Sequence, residues 1–227
     1  MYLGIIPARG GSKGLKRKNL VKVGGMSLIH WTINAAKNST LLNEFIVSTD
    51  DTEIANLSKA LDVKVPFIRP EELSGDKTPI IDVLNHALDF YEKHEIYINA
   101  IVLLQPTSPL RTFEDIDESL NIFEKENADT VVSVCEVPHQ YTETSIMKLE
   151  NDGTIVQNST ESLFRRQDKP IYYARNGPAV IVIKESVIRS GILYGEKTYP
   201  YIMSKGNSID IDDYEDLMFA DYLLRKS

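Results

Sequence analysis

The sequence is poor in cysteine and tryptophan: among 227 residues each occurs once, as Cys135 and Trp31. A single cysteine excludes an internal disulfide framework and any cysteine-based zinc site. His30, His86, His94 and His139 have no metal-ligand spacing and are expected to be structural or solvated. No apolar run approaches the ~20 residues of a membrane span. The N-terminus lacks the layout of a secretory leader, because Arg9 follows directly on the apolar start. A cytoplasmic location is the resulting expectation. Repeats, low-complexity tracts and flexible linkers are missing as well. The chain is 42 % apolar and 26 % charged, which excludes disorder as its main state. Its length fits one large domain, or one with an appendage.

The most informative absence is of acid at the start. Residues 1–43 hold no Asp or Glu but carry Arg9, Lys13, Lys16, Arg17, Lys18, Lys22 and Lys37. Beyond residue 43 the balance is 18 bases to 33 acids, a net of −15, within a whole-chain charge of −8. A basic knot in an acidic protein addresses a compact anion. A nucleic-acid binder would spread basic charge over a face, so nucleic acid is not expected as a partner.

Periodicity gives the architecture. Short apolar runs at Tyr2–Pro7, Phe45–Thr49, Ala100–Leu104, Thr130–Val134 and Ala179–Ile183 read as buried strands. Helical spacing follows Ser27, Asp51, Thr78 and Phe113, with Ser27 and Asp50-Asp51 as N-cap candidates. Trp31 and Cys135 are expected to be buried. The alternation predicts βαβ units and an α/β fold: a mostly parallel sheet with helices on both faces. In such sheets ligands sit beyond the carboxyl ends of the strands. Residues 138–172 break the pattern. Apolar pieces flank Asn151-Asp-Gly153, which predicts a hairpin excursion serving as a dimerisation segment, a lid or a plain surface insertion. The main domain is then 1–137 with 173–227. Ser208–Asp212 alternates like a further strand, and a last helix starts near Asp213.

The segment Ala8, Arg9, Gly10, Gly11, Ser12, Lys13, Gly14 follows the first strand, where phosphate loops belong. Its glycines let backbone N–H groups converge on phosphate oxygens, and Arg9, Lys13 and Lys18 add charge. It is neither a Walker A loop nor a dinucleotide fingerprint. Ile5–Gly14 with Lys18-Asn19 resembles the nucleotide-binding signature of the CMP-N-acylneuraminate synthetases, the cytidylyltransferases that activate sialic acids. Five more segments resemble that family in the same order. They are Ile46–Asp50, Ile68-Arg-Pro70 with Leu73, Leu103–Thr112, Arg175-Asn-Gly177 and Ser208–Asp212, so that the resemblance covers most of residues 2–215.

The resemblance implies a Rossmann-like nucleotidyltransferase that joins CTP to a nine-carbon 2-keto sugar acid and releases pyrophosphate. It implies Ala8–Gly14, Lys18, Asn19 and Arg69 at the nucleotide, with Arg9 and Lys18 steadying the triphosphate. Asp210 and Asp212 are implied as Mg²⁺ ligands, and a period of two would put both on one strand face. Asp212 with Glu215 also reads as a helix capping box. Gln105, Thr107, Ser108 and Arg111 stand at the ligand edge, with Gln105 implied at the sugar; Arg111 serves either the sugar or nearby carbonyls. Arg166 is implied at the sugar carboxylate, across the interface of an expected homodimer, and Asn176 at ribose or sugar. Tyr194 and Tyr199 do not form the adjacent aromatic pair expected of sialate enzymes. Legionaminate and pseudaminate therefore stand beside N-acetylneuraminate as substrates, with Kdo more remote. A CTP-binding sensor without turnover is the reading from another class. A hydrolase is excluded by the lack of a nucleophile elbow or zinc ligands.

Overall fold

The structure, a computed structural model, describes residues 1–12, 14–143, 145–157 and 170–226. Its elements in chain order are β1 (Tyr2–Pro7), β2 (Lys22–Val23), β3 (Met26–Ser27), α1 (Leu28–Asn38), β4 (Glu44–Ser48), α2 (Thr52–Ala60), α3 (Ile80–Lys93), β5 (Ala100–Leu104), α4 (Phe113–Lys125), β6 (Thr130–Glu136), β7 (Met147–Leu149), β8 (Ile155–Gln157), β9 (Tyr173–Arg175), β10 (Val180–Lys184), α5 (Glu185–Arg189), β11 (Thr198–Ile202) and α6 (Tyr214–Leu224).

Among the described residues the main sheet has seven strands, in the order β11-β6-β10-β5-β1-β4 with β9 added against β6. β1 is parallel to β4 and β5, and β11 is parallel to β6. β10 enters antiparallel between β5 and β6, and β9 is antiparallel to β6. Five strands thus run one way, and the sheet is mostly parallel. Strand alternation explains why their sequences are continuously apolar. Ile6, Val47, Val102, Leu104 and Val182 face one core with Ile29, Ile33, Ile116 and Leu120 of α1 and α4. Leu3, Ile5, Ile46, Ile101, Leu103 and Ile183 face the other with Leu84, Leu88, Tyr91 and Ile188 of α3 and α5. The parallel arrangement brings the carboxyl ends of β1, β4 and β5 together, so residues 8–19, 49–51 and 105–111 leave from one edge.

Local chemistry fixes the ends. Asp51 caps α2, its carboxylate accepting from the N–H groups of Glu53 and Ile54. Ser27 precedes α1, yet its side chain makes no capping bond. Trp31 is half-buried and donates through Nε1 to the Val23 carbonyl. Cys135 is also only half-buried, near the end of β6. β7 and β8 pair as the hairpin expected around Gly153, whose φ of +84° suits the turn. The rest of that excursion, residues 158–169, lies outside the described residues.

Two expectations fail at the C-terminal end. Ser208–Asp212 is not a strand. Its alternation arises because Ile209 and Ile211 plug a third apolar cluster beneath α6, with Val23, Leu28 and Trp31. A single backbone bond, from the Ile211 N–H to the Thr107 carbonyl (2.8 Å), ties it to the sheet edge. The capping box of α6 is Asp213 with Asp216, not Asp212 with Glu215. The Asp212 side chain is thereby released from capping.

Candidate active site

The basic loop is built from β1 outward. Ala8 is fully buried, and its N–H reaches the Ser48 carbonyl at 2.9 Å, holding the loop root against β4. Asn19 folds the loop back on itself by donating to the Arg9 carbonyl at 2.9 Å. Two glycines are required by close approach. A Cβ on Gly10 would stand 2.5 Å from Asp51 Oδ2, and one on Gly14 would stand 2.5 Å from the Asp212 carbonyl oxygen. Gly11 has open space around it. The Gly10 N–H, expected to face phosphate, donates instead to Asp50 Oδ1 at 3.0 Å. Lys13 lies outside the described residues.

Between this loop and the ends of β5 and β10 opens a cleft of about 610 Å³. Of the residues expected at the site, Arg9, Ser12, Gly14, Lys18, Asn19, Arg69, Gln105, Thr107, Asp210 and Asp212 line it. Each of its described cations faces a carboxylate. Arg9 Nη1 lies 2.7 Å from Asp76, Lys18 Nζ 3.1 Å from Asp212, and Arg69 Nη2 3.7 Å from Asp50. Lys18 Nζ also donates to the Ile211 carbonyl at 2.6 Å. Arg69 is almost fully buried. Burial lowers its pKa, Asp50 opposes that, and Arg9 adds to it. Burial raises the Asp210 carboxyl above the ordinary range; Asp212 pushes the same way, while the Thr107 hydroxyl and Lys18 oppose. Asp210 Oδ1 and Thr107 Oγ1 are buried oxygens of the cleft wall that face each other without a well-formed hydrogen bond among the described residues. The Asp212 side chain is 80 % exposed. Unsatisfied oxygens in a polar cleft are what a bound cation or ligand would complete.

Three residues expected at the substrate do not reach the cleft. The Arg111 guanidinium is 3 % exposed and donates through Nη1 to the carbonyls of Gln105 and Ala179, both at 3.0 Å. Burial brings its pKa down to about 10, with Asp115 opposing. Of its two expected roles, it fills the carbonyl-holding one. Asn176 is buried too. Its Oδ1 accepts from Ser133 Oγ (2.7 Å) and its Nδ2 donates to Ser208 Oγ (3.0 Å), so its amide is consumed within the scaffold. Ser108 is fully buried beneath the loop. Arg111 thus holds the Gln105 backbone, and the Gln105 Nε2 donates to the Gly177 carbonyl at 3.1 Å. Arg166 lies outside the described residues.

Sequence reasoning gave Asp50 only a helix-capping role, placed residues 74–77 at the nucleotide base through backbone groups with no role for the Asp76 side chain, and took Gly177 only as part of a turn. Asp50 lies two residues beyond the end of β4, at the ligand edge, the one position from which its role was readable. Gly177, at φ +108°, passes so close to Asp210 that a Cβ there would come within 2.9 Å of its Cγ. Among the described residues no group of three or more His, Cys, Asp or Glu side chains is placed to hold a metal unaided. No helix among them is long and apolar enough to cross a membrane.

A mostly parallel α/β sheet thus brings three cations and two carboxylates to one open cleft. The chain belongs to the cytidylyltransferase family, matching the family described as Cytidylyltransferase over residues 3–221. It is 35 % identical to the N-acylneuraminate cytidylyltransferase of Streptococcus agalactiae serotype V, over 98 % of this chain and 54 % of that protein. The chain thus spans about half the length of the N-acylneuraminate cytidylyltransferases of that species that it matches. It is 33 % identical to the CMP-N,N'-diacetyllegionaminic acid synthase of Legionella pneumophila, over 98 % of this chain and 95 % of that one. In fold it is similar to a CMP:2-keto-3-deoxy-manno-octonic acid synthetase solved in complex with CTP, with a TM-score of 0.71 at 15 % identity, covering 99 % and 98 % of the two chains.

Proposed function

We propose that this chain activates a sialic-acid-like nonulosonate with CTP, giving the CMP-sugar and pyrophosphate. The observation that carries the reading is the opposition of Arg9, Lys18 and Arg69 to Asp210 and Asp212 across one cleft. That cleft is of small-molecule size, since such sites span about 300–1,000 Å³. The activities of the similar proteins, on N-acylneuraminate and N,N'-diacetyllegionaminic acid, support the same class of sugar acid.

In this reading Lys18 and Arg9 leave their carboxylates to steady the triphosphate. Arg69 sits by the cytosine and ribose, and Gln105 and Thr107 orient the sugar. The anomeric hydroxyl oxygen attacks the α-phosphorus. An O–P bond forms, the bond from phosphorus to the pyrophosphate oxygen breaks, and the hydroxyl proton passes to solvent. Such a transfer asks the protein for alignment and charge neutralisation more than for covalent chemistry. Asp210 and Asp212 suit Mg²⁺, which takes one or two carboxylates with substrate phosphates and keeps several waters. An ion held there by Asp210 and Asp212 would neutralise phosphate charge and lower the pKa of the attacking hydroxyl. Arg111 acts by holding the Gln105 carbonyl, and Asn176 by tying the start of β10 to Ser133 and Ser208.

The protein is further proposed to be a cytoplasmic homodimer joined through residues 138–172. Met147, Leu149 and Ile155, on one face of the hairpin, are all exposed, an apolar surface that a second copy would cover. Arg166 would then reach the partner's sugar acid.

The test is pyrophosphate release with CTP, Mg²⁺ and, separately, N-acetylneuraminate, legionaminate, pseudaminate and Kdo. Release with one of the first three is expected. CTP binding with silence on all four would favour a nucleotide sensor, and no CTP binding would remove the nucleotide reading of the loop.

A further inference from the structure

α6 is apolar on both of its sides. Leu217, Ala220 and Leu224 turn inward onto the cluster that holds Ile209 and Ile211. The opposite side carries Tyr214, Met218, Phe219 and Tyr222, each more than half exposed. α4 shows what a solvent face of this protein looks like, for it turns Glu114, Glu118, Asn121 and Glu124 outward. A helix apolar all round is the pattern of a buried one, and here one side of it meets water.

The outer stripe reads the same in both directions. Tyr214, Met218 and Tyr222 follow one another at intervals of four, so they line up along the helix. The two tyrosines are equally far from Met218. An antiparallel pair of α6 helices centred on Met218 therefore sets Tyr214 of each copy opposite Tyr222 of the other. The charges have the matching polarity. Asp213, Glu215 and Asp216 stand at the start of α6, and Arg225 and Lys226 directly follow its end. Asp213 and Asp216 are taken up by the capping box, and Arg225 by Asp221 at 2.6 Å. Lys226 lies over its own Tyr222 ring, 4.4 Å from the centroid, and neither it nor Glu215 has an ion-pair partner among the described residues. Antiparallel packing turns the Glu215 end of each helix toward the Lys226 end of the other and opposes the two helix dipoles. Parallel packing sets like charges together.

Side chains of this size carry roughly 150–250 Å² each, so four of them more than half exposed leave about 400 Å² of apolar surface per copy. Two such faces bury about 800 Å² before flanking residues are counted, near the ~1,000 Å² that a specific interface clears. We propose that α6 is a seam between two copies of this chain, packed antiparallel across a two-fold axis at Met218. A patch that pairs with itself in this way is the commonest closed interface among homo-oligomers. The seam is a different surface from the β7–β8 hairpin, and together with a hairpin contact it would join four chains.

The experiment measures the mass of the purified full chain by light scattering over a range of concentrations. Wild type is compared with M218E, L149E, E215K, K226E and the E215K/K226E pair, with the far-UV circular dichroism of each. M218E should halve the wild-type mass and keep the native spectrum. E215K and K226E should each move dissociation to about tenfold higher concentration, since two symmetric charge pairs change at once, and the double variant should restore it. In a C135S background M218C should form a disulfide between two chains on mild oxidation, because a residue on a two-fold axis meets its own copy. A wild type that is monomeric throughout, or an M218E of unchanged mass, overturns the proposal. Absence of rescue in the double variant overturns the antiparallel pairing. M218C that fails to cross-link also overturns the seam. If M218E and L149E both dissociate in that case, the hairpin of a second copy covers α6 instead. Should M218E lose its native spectrum, the M218C cross-link alone decides.

Discussion

Lys18 and Asp212, 194 positions apart in the chain, meet at 3.1 Å across the mouth of the cleft. The lysine is largely covered while the aspartate is 80 % exposed. In the proposed reaction each has another partner, phosphate for Lys18 and the metal for Asp212. The pair is then a resting contact that substrate separates. With its carboxylate in water the pair contributes little to stability, so breaking it costs little.

Asp212→Asn should accordingly lower turnover by roughly 100-fold, the scale of losing one preorganised charge at a transition state. Its unfolding midpoint should stay at the wild-type value, because Asp213 and Asp216 cap α6. Asp213→Ala should do the reverse, losing about 1 kcal/mol of stability with turnover largely kept. Initial rates and urea unfolding on both variants decide it. Equal loss of rate and stability in the Asp212 variant would return that residue to a capping role.

Gly14→Ala and Gly11→Ala separate packing from flexibility in the loop. A Cβ at 14 collides with the Asp212 carbonyl at 2.5 Å, while one at 11 meets nothing within 4 Å. The first should displace the Asp212 backbone and weaken CTP binding more than tenfold, at an overpacking cost of about 1–3 kcal/mol. The second should bind CTP nearly as wild type does. Calorimetric CTP titrations of the two variants compare them directly; equal affinities would contradict the packing account.

Arg111→Met should act on folding first. Removing the guanidinium leaves the carbonyls of Gln105 and Ala179 without their shared donor. A loss of about 1–3 kcal/mol is expected for such orphaned groups. The sugar KM should rise because Gln105 is released. Unchanged stability with a raised KM would instead point to direct substrate contact.

Acid unfolding has an identifiable contributor. Asp117 ties α4 to residues 39–41. Burial opposes its ionisation, but donors from Ser39, Thr40 and the Leu41 N–H outweigh this and hold its pKa below the usual range. A carboxyl with a depressed folded pKa contributes stability above its unfolded pKa of about 3.9, and that contribution is lost as pH falls toward the folded value. Asp117→Asn should reduce stability at neutral pH and flatten the loss below about pH 4. Urea midpoints across pH 2.5–7 measure both limbs; parallel curves for the two proteins would contradict the assignment.

What the sequence made legible follows from burial. β1, β5 and β10 are covered on both faces, so their apolar runs stand out and their bounds were nearly right. β11 went unseen because it is an edge strand, where Pro200 is tolerated and outward positions are polar or exposed. Ser208–Asp212 mimicked a strand because a loop that plugs alternate isoleucines into a core has the same period. At the site, motif position told which residues stand near the strand ends, as for Lys18, Arg69, Gln105 and Asp210. It could not tell which way each side chain turns: Arg111 and Asn176 point into the scaffold. The pairing of the Asp76 side chain with Arg9 is not announced by the chain order.

The central claim is that the cleft between the loop and Asp210–Asp212 takes CTP with a divalent metal. Calorimetric titration of CTP into the protein, with Mg²⁺ and with chelator, tests it most directly. The account predicts one CTP per chain, affinity at least tenfold weaker without metal, and a further loss in Lys18→Ala. Tight binding that is indifferent to metal and to Lys18, or no binding at all, would contradict it.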